Sequence, residues 1–128
     1  MISQREIERL SEELDVLKDT VDKDWVLGHF MDAIYSVKKL KDVLIFKGGT
    51  CLKKCHFPDY RFSEDLDFTA TDENFVFTNE LLKKVTDHVT KKSGVACHII
   101  EHLSLLRFFF PYNRCYNGSR KIYRHAFL

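Results

Sequence analysis

"LIFKGGTCLKKCHFPDYRFSEDLDFTA", residues 44–70, is the stretch on which the reading of this chain turns. Its first residues complete the apolar run Val43-Leu44-Ile45-Phe46, short and continuous as in a strand buried on both faces. Gly48-Gly49 ends the run, residues 50–56 suit a short helix, and Pro58 breaks it. Residues 65–69 then alternate polar with apolar, the pattern of a second strand.

The two halves of the stretch carry complementary chemistry. On one strand, Asp65 and Asp67 share a face while Leu66 points to the core, so two like charges sit a few ångströms apart. Such a pair repels unless it is neutralised, and a divalent cation neutralises it. Mg²⁺ favours carboxylate oxygens together with substrate phosphates, and carboxylates that ligate it promote deprotonation of an attacking hydroxyl. The glycines supply the other half. Gly48-Gly49 lets backbone approach a ligand closely, and a helix starting at Thr50 aims unpaired N–H groups outward beside the Thr50 hydroxyl. An anion site beside a cation site is what a nucleoside triphosphate with Mg²⁺ or Mn²⁺ requires. Lys54 and Arg61 are close enough in sequence to neutralise those phosphates, with surface ion pairing as the plain alternative. Ser63 and Glu64 cap or orient the turn before the second strand. The chain has no GxxxxGK[ST] loop and no GxGxxG fingerprint.

Working outward, Ser3-Gln4-Arg5-Glu6 reads as a capping box, with Ile7, Leu10, Leu14, Leu17 and Val21 following along one amphipathic helix. A second helix is predicted from Asp24-Trp25, with Phe30, Ile34, Val37 and Leu40 on its apolar face and Lys38-Lys39-Leu40-Lys41 as its basic end. Asp72 caps a third, in which Leu81, Leu82, Val85 and Val89 share a face, and Gly94 stops it. Residues 95–100, 105–112 and 121–127 are strand candidates, with Asn117-Gly118 as a hairpin turn between the last two. The fold class is therefore α+β, a mixed β-sheet covered by helices. The 128 residues form a single domain, with a helical part over residues 1–42 and a sheet core carrying the site over residues 43–128.

Composition narrows the function classes. A chain that is 45% hydrophobic and 30% charged is a folded globular protein, and a formal charge of +1 gives no global attraction to nucleic acid or anionic membrane. No apolar run reaches the ~18 residues of a membrane span, and no secretory signal opens the chain. Cys51, Cys55, Cys97 and Cys115 form no CxxC pair and read as reduced cytoplasmic thiols, and Cys51, Cys55 and His56 lack the paired spacings of a zinc site. His98 and His102 lie four apart on a predicted strand, where they are ordinary packing or surface histidines. Phe108-Phe109-Phe110 reads as a core strand rather than a base-stacking platform.

"FKGGTCLKK" followed by "YRFSEDLDF" resembles the nucleotidyltransferase AbiEii toxin family of the DNA polymerase β-like superfamily, and "DKDWVLGHF", residues 22–30, resembles the helix that precedes the glycine motif there. The resemblance implies a polymerase β-like nucleotidyltransferase fold, with Gly48, Gly49 and Thr50 holding the triphosphate and Asp65 and Asp67 the metals. It implies transfer of a nucleoside monophosphate to a hydroxyl of RNA (tRNA in related proteins), of a protein or of a small molecule. It also implies a toxin of a toxin-antitoxin or phage-defence system, with a cognate antitoxin as partner. The family usually adds a third carboxylate from a later strand; here the corresponding stretch is Lys121-Ile122-Tyr123-Arg124-His125, with Arg124 or His125 where the acid falls and Glu101 as the local substitute. Members usually continue into a helical C-terminal region, and this chain stops at Leu128, as in a truncated member. The alternative is a catalytically inactive nucleotide-binding or interaction module that retains the fold.

Overall fold

The structure, a computed structural model, describes residues 2–103, 105–111 and 123–127, with side chains up to residue 97. Helix α1 (Gln4–Glu13) starts where Ser3 accepts a hydrogen bond from the Glu6 amide, as the capping box predicts. It does not run on to Val21. Asp15 takes a left-handed backbone, φ 50°, and the Ser11 hydroxyl donates to the Val16 carbonyl, so local bonds end the helix. The apolar ladder is thereby split: Ile7 and Val21 are buried, whereas Leu17 is 75% exposed.

Helix α2 (Lys18–Ser36) begins six residues before the predicted Asp24 and buries Val21, Leu27, Phe30, Ala33 and Ile34. It ends earlier than predicted, because Val37 is extended, and Lys38-Lys39-Leu40-Lys41 open a separate short helix, α3 (Lys38–Val43). Strand β1 (Leu44–Lys47) pairs antiparallel with β2 (Asp67–Ala70), matching Lys47 with Asp67 and Phe46 with Phe68. The Phe46 and Phe68 rings pack 5.2 Å apart, a cross-strand contact that fixes the register. The strand buried on both faces is not found: Leu44 is buried but Ile45 is 56% exposed, since an antiparallel pair needs to cover only one face.

Between the strands lie helix α4 (Gly48–Cys51) and a π-helical turn (Leu52–His56), closed at Phe57 just before Pro58. Helix α5 (Asn79–Ser93) is capped by Thr78, not Asp72; Asp72 instead accepts from the Asn74 amide in a local turn. It ends at Gly94, φ 76°, as predicted. Its Leu81, Leu82, Val85 and Val89 join Leu27, Phe30, Ala33, Ile34, Leu40, Leu44 and Leu66 in one core cluster. Strands β3 (His98–Leu103), β4 (Leu105–Pro111) and β5 (Tyr123–Phe127) form an antiparallel sheet in that order. The class is α+β, but among the described residues there are two antiparallel sheets in place of one mixed sheet. The Asn117-Gly118 turn lies outside the described residues.

Candidate functional site

Three consecutive residues after β1 engage three residues before and at the start of β2. Gly48 adopts φ +79°, and a Cβ there would stand 2.1 Å from Asp67 Oδ2, an impossible contact. Only glycine lets this turn lie directly against the Asp67 side chain. At Gly49 a Cβ would meet Ser63 Oγ at 3.0 Å. Thr50, fully buried, donates its hydroxyl to the Asp65 carbonyl at 2.5 Å. The glycine turn and the aspartate stretch are one interlocked unit.

Two details differ from the sequence reading. Asp65 precedes β2 instead of lying on it, so its position is set by the Thr50 bond and not by a strand ladder. The hydroxyl that makes this bond is the one that the sequence reading sets beside the anion site. Helix α4 begins at Gly48, two residues earlier than predicted, with no side chain capping its first turn.

Leu66 is fully buried in the core and the flanking carboxylates face outward, Asp65 exposed and Asp67 half-buried. Asp65 Oδ1 accepts a hydrogen bond from Ser63 Oγ at 2.8 Å. These are hard oxygen donors held on a fixed backbone, the donor type that suits a divalent cation. Among the described residues no group of three or more His, Cys, Asp or Glu is arranged to hold a metal. The proposed third acid, Glu101, is on β3 and Arg124 and His125 are on β5, but their side chains lie outside the described set.

The basic residues divide. Lys54 Nζ pairs with Asp24 Oδ2 at 2.7 Å and also donates to the Asp24 carbonyl at 3.1 Å, so the structure commits it to α2. Lys53 donates to the Pro58 carbonyl and sits over the Phe62 ring, 4.3 Å from its centroid, fastening the loop after the π turn. Lys23, also on α2, forms an ion pair with Glu64. Arg61 is exposed and bonds only the neighbouring Phe62 carbonyl, making no ion pair among the described residues. Sequence reasoning missed Lys23 and Asp24; the available signal was a charged triplet, Asp22-Lys23-Asp24, at the predicted start of the second helix.

The family model described as "Nucleotidyl transferase AbiEii toxin, Type IV TA system" matches residues 29–106, which include the whole interlocked unit. The chain belongs to the AbiEii family. The AbiEii match starts within α2 and ends in β4, so it reaches further toward the C-terminus than the motifs alone. Most of "DKDWVLGHF" lies ahead of it. No curated protein and no solved structure matches the chain. As an AbiEii member the chain is of the nucleotidyl transferase toxin type, and no helix among its described residues is long and apolar enough to cross a membrane.

Proposed function

We propose that this protein transfers a nucleoside monophosphate from a nucleoside triphosphate to a hydroxyl acceptor, as a cytoplasmic toxin held in check by an antitoxin and acting in phage defence. The observation that supports the reading is the packing of the Gly48 turn on the Asp67 side chain, which joins the glycine motif to the aspartate motif. Asp65 and Asp67 would hold Mg²⁺ or Mn²⁺, and a divalent cation bound there supplies charge stabilisation to the transferring phosphate.

The N–H groups of Gly48, Gly49 and Thr50 bind the β- and γ-phosphate oxygens, an anion contact that places the α-phosphate over the carboxylates. Arg61 adds positive charge from the loop, and Lys54 serves through its fixed place near the turn. Asp65 Oδ2, the oxygen not bonded to Ser63, takes the proton of the acceptor hydroxyl. The oxygen then attacks the α-phosphate and pyrophosphate leaves. Acceptors of this class are tRNA, a protein or a small-molecule hydroxyl.

The test is transfer of label from each of the four α-labelled nucleoside triphosphates, with Mg²⁺ or Mn²⁺, into total tRNA and into the protein itself. Label incorporated by wild type and not by Asp65→Asn/Asp67→Asn supports the reading; equal incorporation by both sinks it. A second reading, an inactive nucleotide-binding or interaction module, is favoured by Arg124 and His125 in β5, where the sequence resemblance implies an acid. Nucleotide binding with no transfer would select it.

A further inference from the structure

Consecutive residues of α2 reach two different segments of the interlocked unit. Neighbouring side chains on a helix point about 100° apart, so Lys23 and Asp24 diverge from one turn. Asp24 takes Lys54, in the π turn that follows the glycines, and Lys23 takes Glu64, the residue before Asp65. The side chains of the Lys54–Asp24 pair are only 21% and 25% exposed. An ion pair so enclosed is costly to break, because each partner would leave a poorly hydrated charge behind. Lys54 is doubly bonded by Asp24, to its carboxylate and its carbonyl, and reaching a phosphate would strand that carboxylate.

We infer that Asp24 and Lys54 are positioning residues: α2 aligns the glycine turn with the carboxylates through the Asp24–Lys54 bond, assisted by Lys23–Glu64, and Lys54 does not bind phosphate. The inference rests on the function proposed above, and it reassigns the cation of that site. Phosphate neutralisation then falls to Arg61 and to Lys47, which is exposed and sits opposite Asp67 in the strand register. The Cα of Gly28, one turn beyond Asp24, lies on the side from which Lys54 arrives, and a Cβ there would meet its Nζ at 3.9 Å. The Lys54 Nζ therefore sits over the Asp24–Gly28 row of the helix.

A double-mutant cycle with Asp24→Asn, Lys54→Met and the pair together separates positioning from phosphate binding. The readouts are the affinity for a non-hydrolysable nucleoside triphosphate with Mn²⁺, measured by calorimetry, and label transfer. A positioning pair predicts equal losses of about tenfold in the two single variants and no further loss in the double. Weaker nucleotide binding in Lys54→Met with none in Asp24→Asn would make Lys54 a phosphate ligand and overturn the inference. So would additive losses, or variants that melt earlier yet bind with wild-type affinity. If Asp24→Asn does not fold, the charge swap Asp24→Lys/Lys54→Asp is measured instead. A folded swap that binds supports positioning; one that folds without binding, or fails to fold, overturns it. Wild-type protein that binds nucleotide but transfers no label refutes the transferase reading alone, and the cycle is then read from binding. Wild-type protein that binds no nucleotide refutes both.

Discussion

The hydroxyl of Thr50 donates to the carbonyl oxygen of Asp65 at 2.5 Å from a fully buried position, so a side chain of the glycine motif fixes the backbone of the aspartate motif. Thr50→Val keeps the shape and removes the donor, leaving a carbonyl without its partner at a cost of about 1–3 kcal/mol. Thr50→Ser should restore most of it. Chemical denaturation checks the ranking wild type, Ser, Val, and label transfer should fall in the same order.

Gly48→Ala meets two penalties at once, a positive φ and a methyl placed on Asp67 Oδ2. Backbone strain of this kind costs about 1–3 kcal/mol before any displacement of the carboxylate is counted. We expect a lowered unfolding midpoint together with loss of nucleotide binding. Gly49→Ala, which meets Ser63 at 3.0 Å without a positive φ, should be milder in both.

Asp65→Asn with Asp67→Asn removes two outward-facing charges without touching Leu66. The double variant should keep its circular dichroism spectrum, unfold at or slightly above the wild-type temperature, and lose label transfer. A like-charge pair relieved is a small gain in stability.

Across the α2–α5 contact, His88 Nε2 donates to Asp32 Oδ2 at 2.8 Å. That hydrogen bond holds the Asp32 carboxyl below its ordinary 3.8, with the Lys92 and His88 charges adding to it and desolvation opposing. A depressed carboxyl pKa gives stability that is present above the ordinary 3.8 and is lost as pH falls through the folded value. Asp32 is 54% exposed, so the contribution is screened and small. Asp32→Asn should flatten the acid limb of the stability profile slightly and leave label transfer at neutral pH unchanged.

Burial pushes the Cys97 thiol up to about 11, and burial also raises Cys51, with Cys55 close by adding to it. Thiolate is the reactive form, so alkylation at pH 8 should label exposed Cys55 first and Cys97 last among these three. Mass spectrometry of timed iodoacetamide samples measures the order.

The elements legible in the sequence were those in which local chemistry and burial agree. The Ser3 cap, the Leu81-Leu82-Val85-Val89 face, the Gly94 stop and the buried Leu66 all follow from side-chain type and spacing. Leu14 and Leu17 misled because apolar periodicity does not report a side-chain bond such as Ser11 to Val16, which ends α1 early. The Val43–Phe46 run suggested a doubly buried strand because an apolar run does not distinguish the inner strand of a larger sheet from one half of an antiparallel pair. At the site, residue types were legible and partners were not. Lys54 reads from the sequence as a phosphate cation, and its ion pair with Asp24, thirty residues earlier, is not legible there. A long-range ion pair leaves no periodic trace.

The contacts from Gly48 to Asp67 and from Thr50 to Asp65 carry the antiparallel approach of β1 and β2 a few residues past the end of their ladder. Zipping the strands and assembling the site are thus the same closure event, made across residues 48–66, which hold α4 and the π turn. Local opening that separates Lys47 from Asp67 dismantles the anion-facing turn with it, so hydrogen exchange at the Ile45 and Thr69 amides, a hydrogen-bonded pair of the ladder, would report the fraction of molecules whose site is intact.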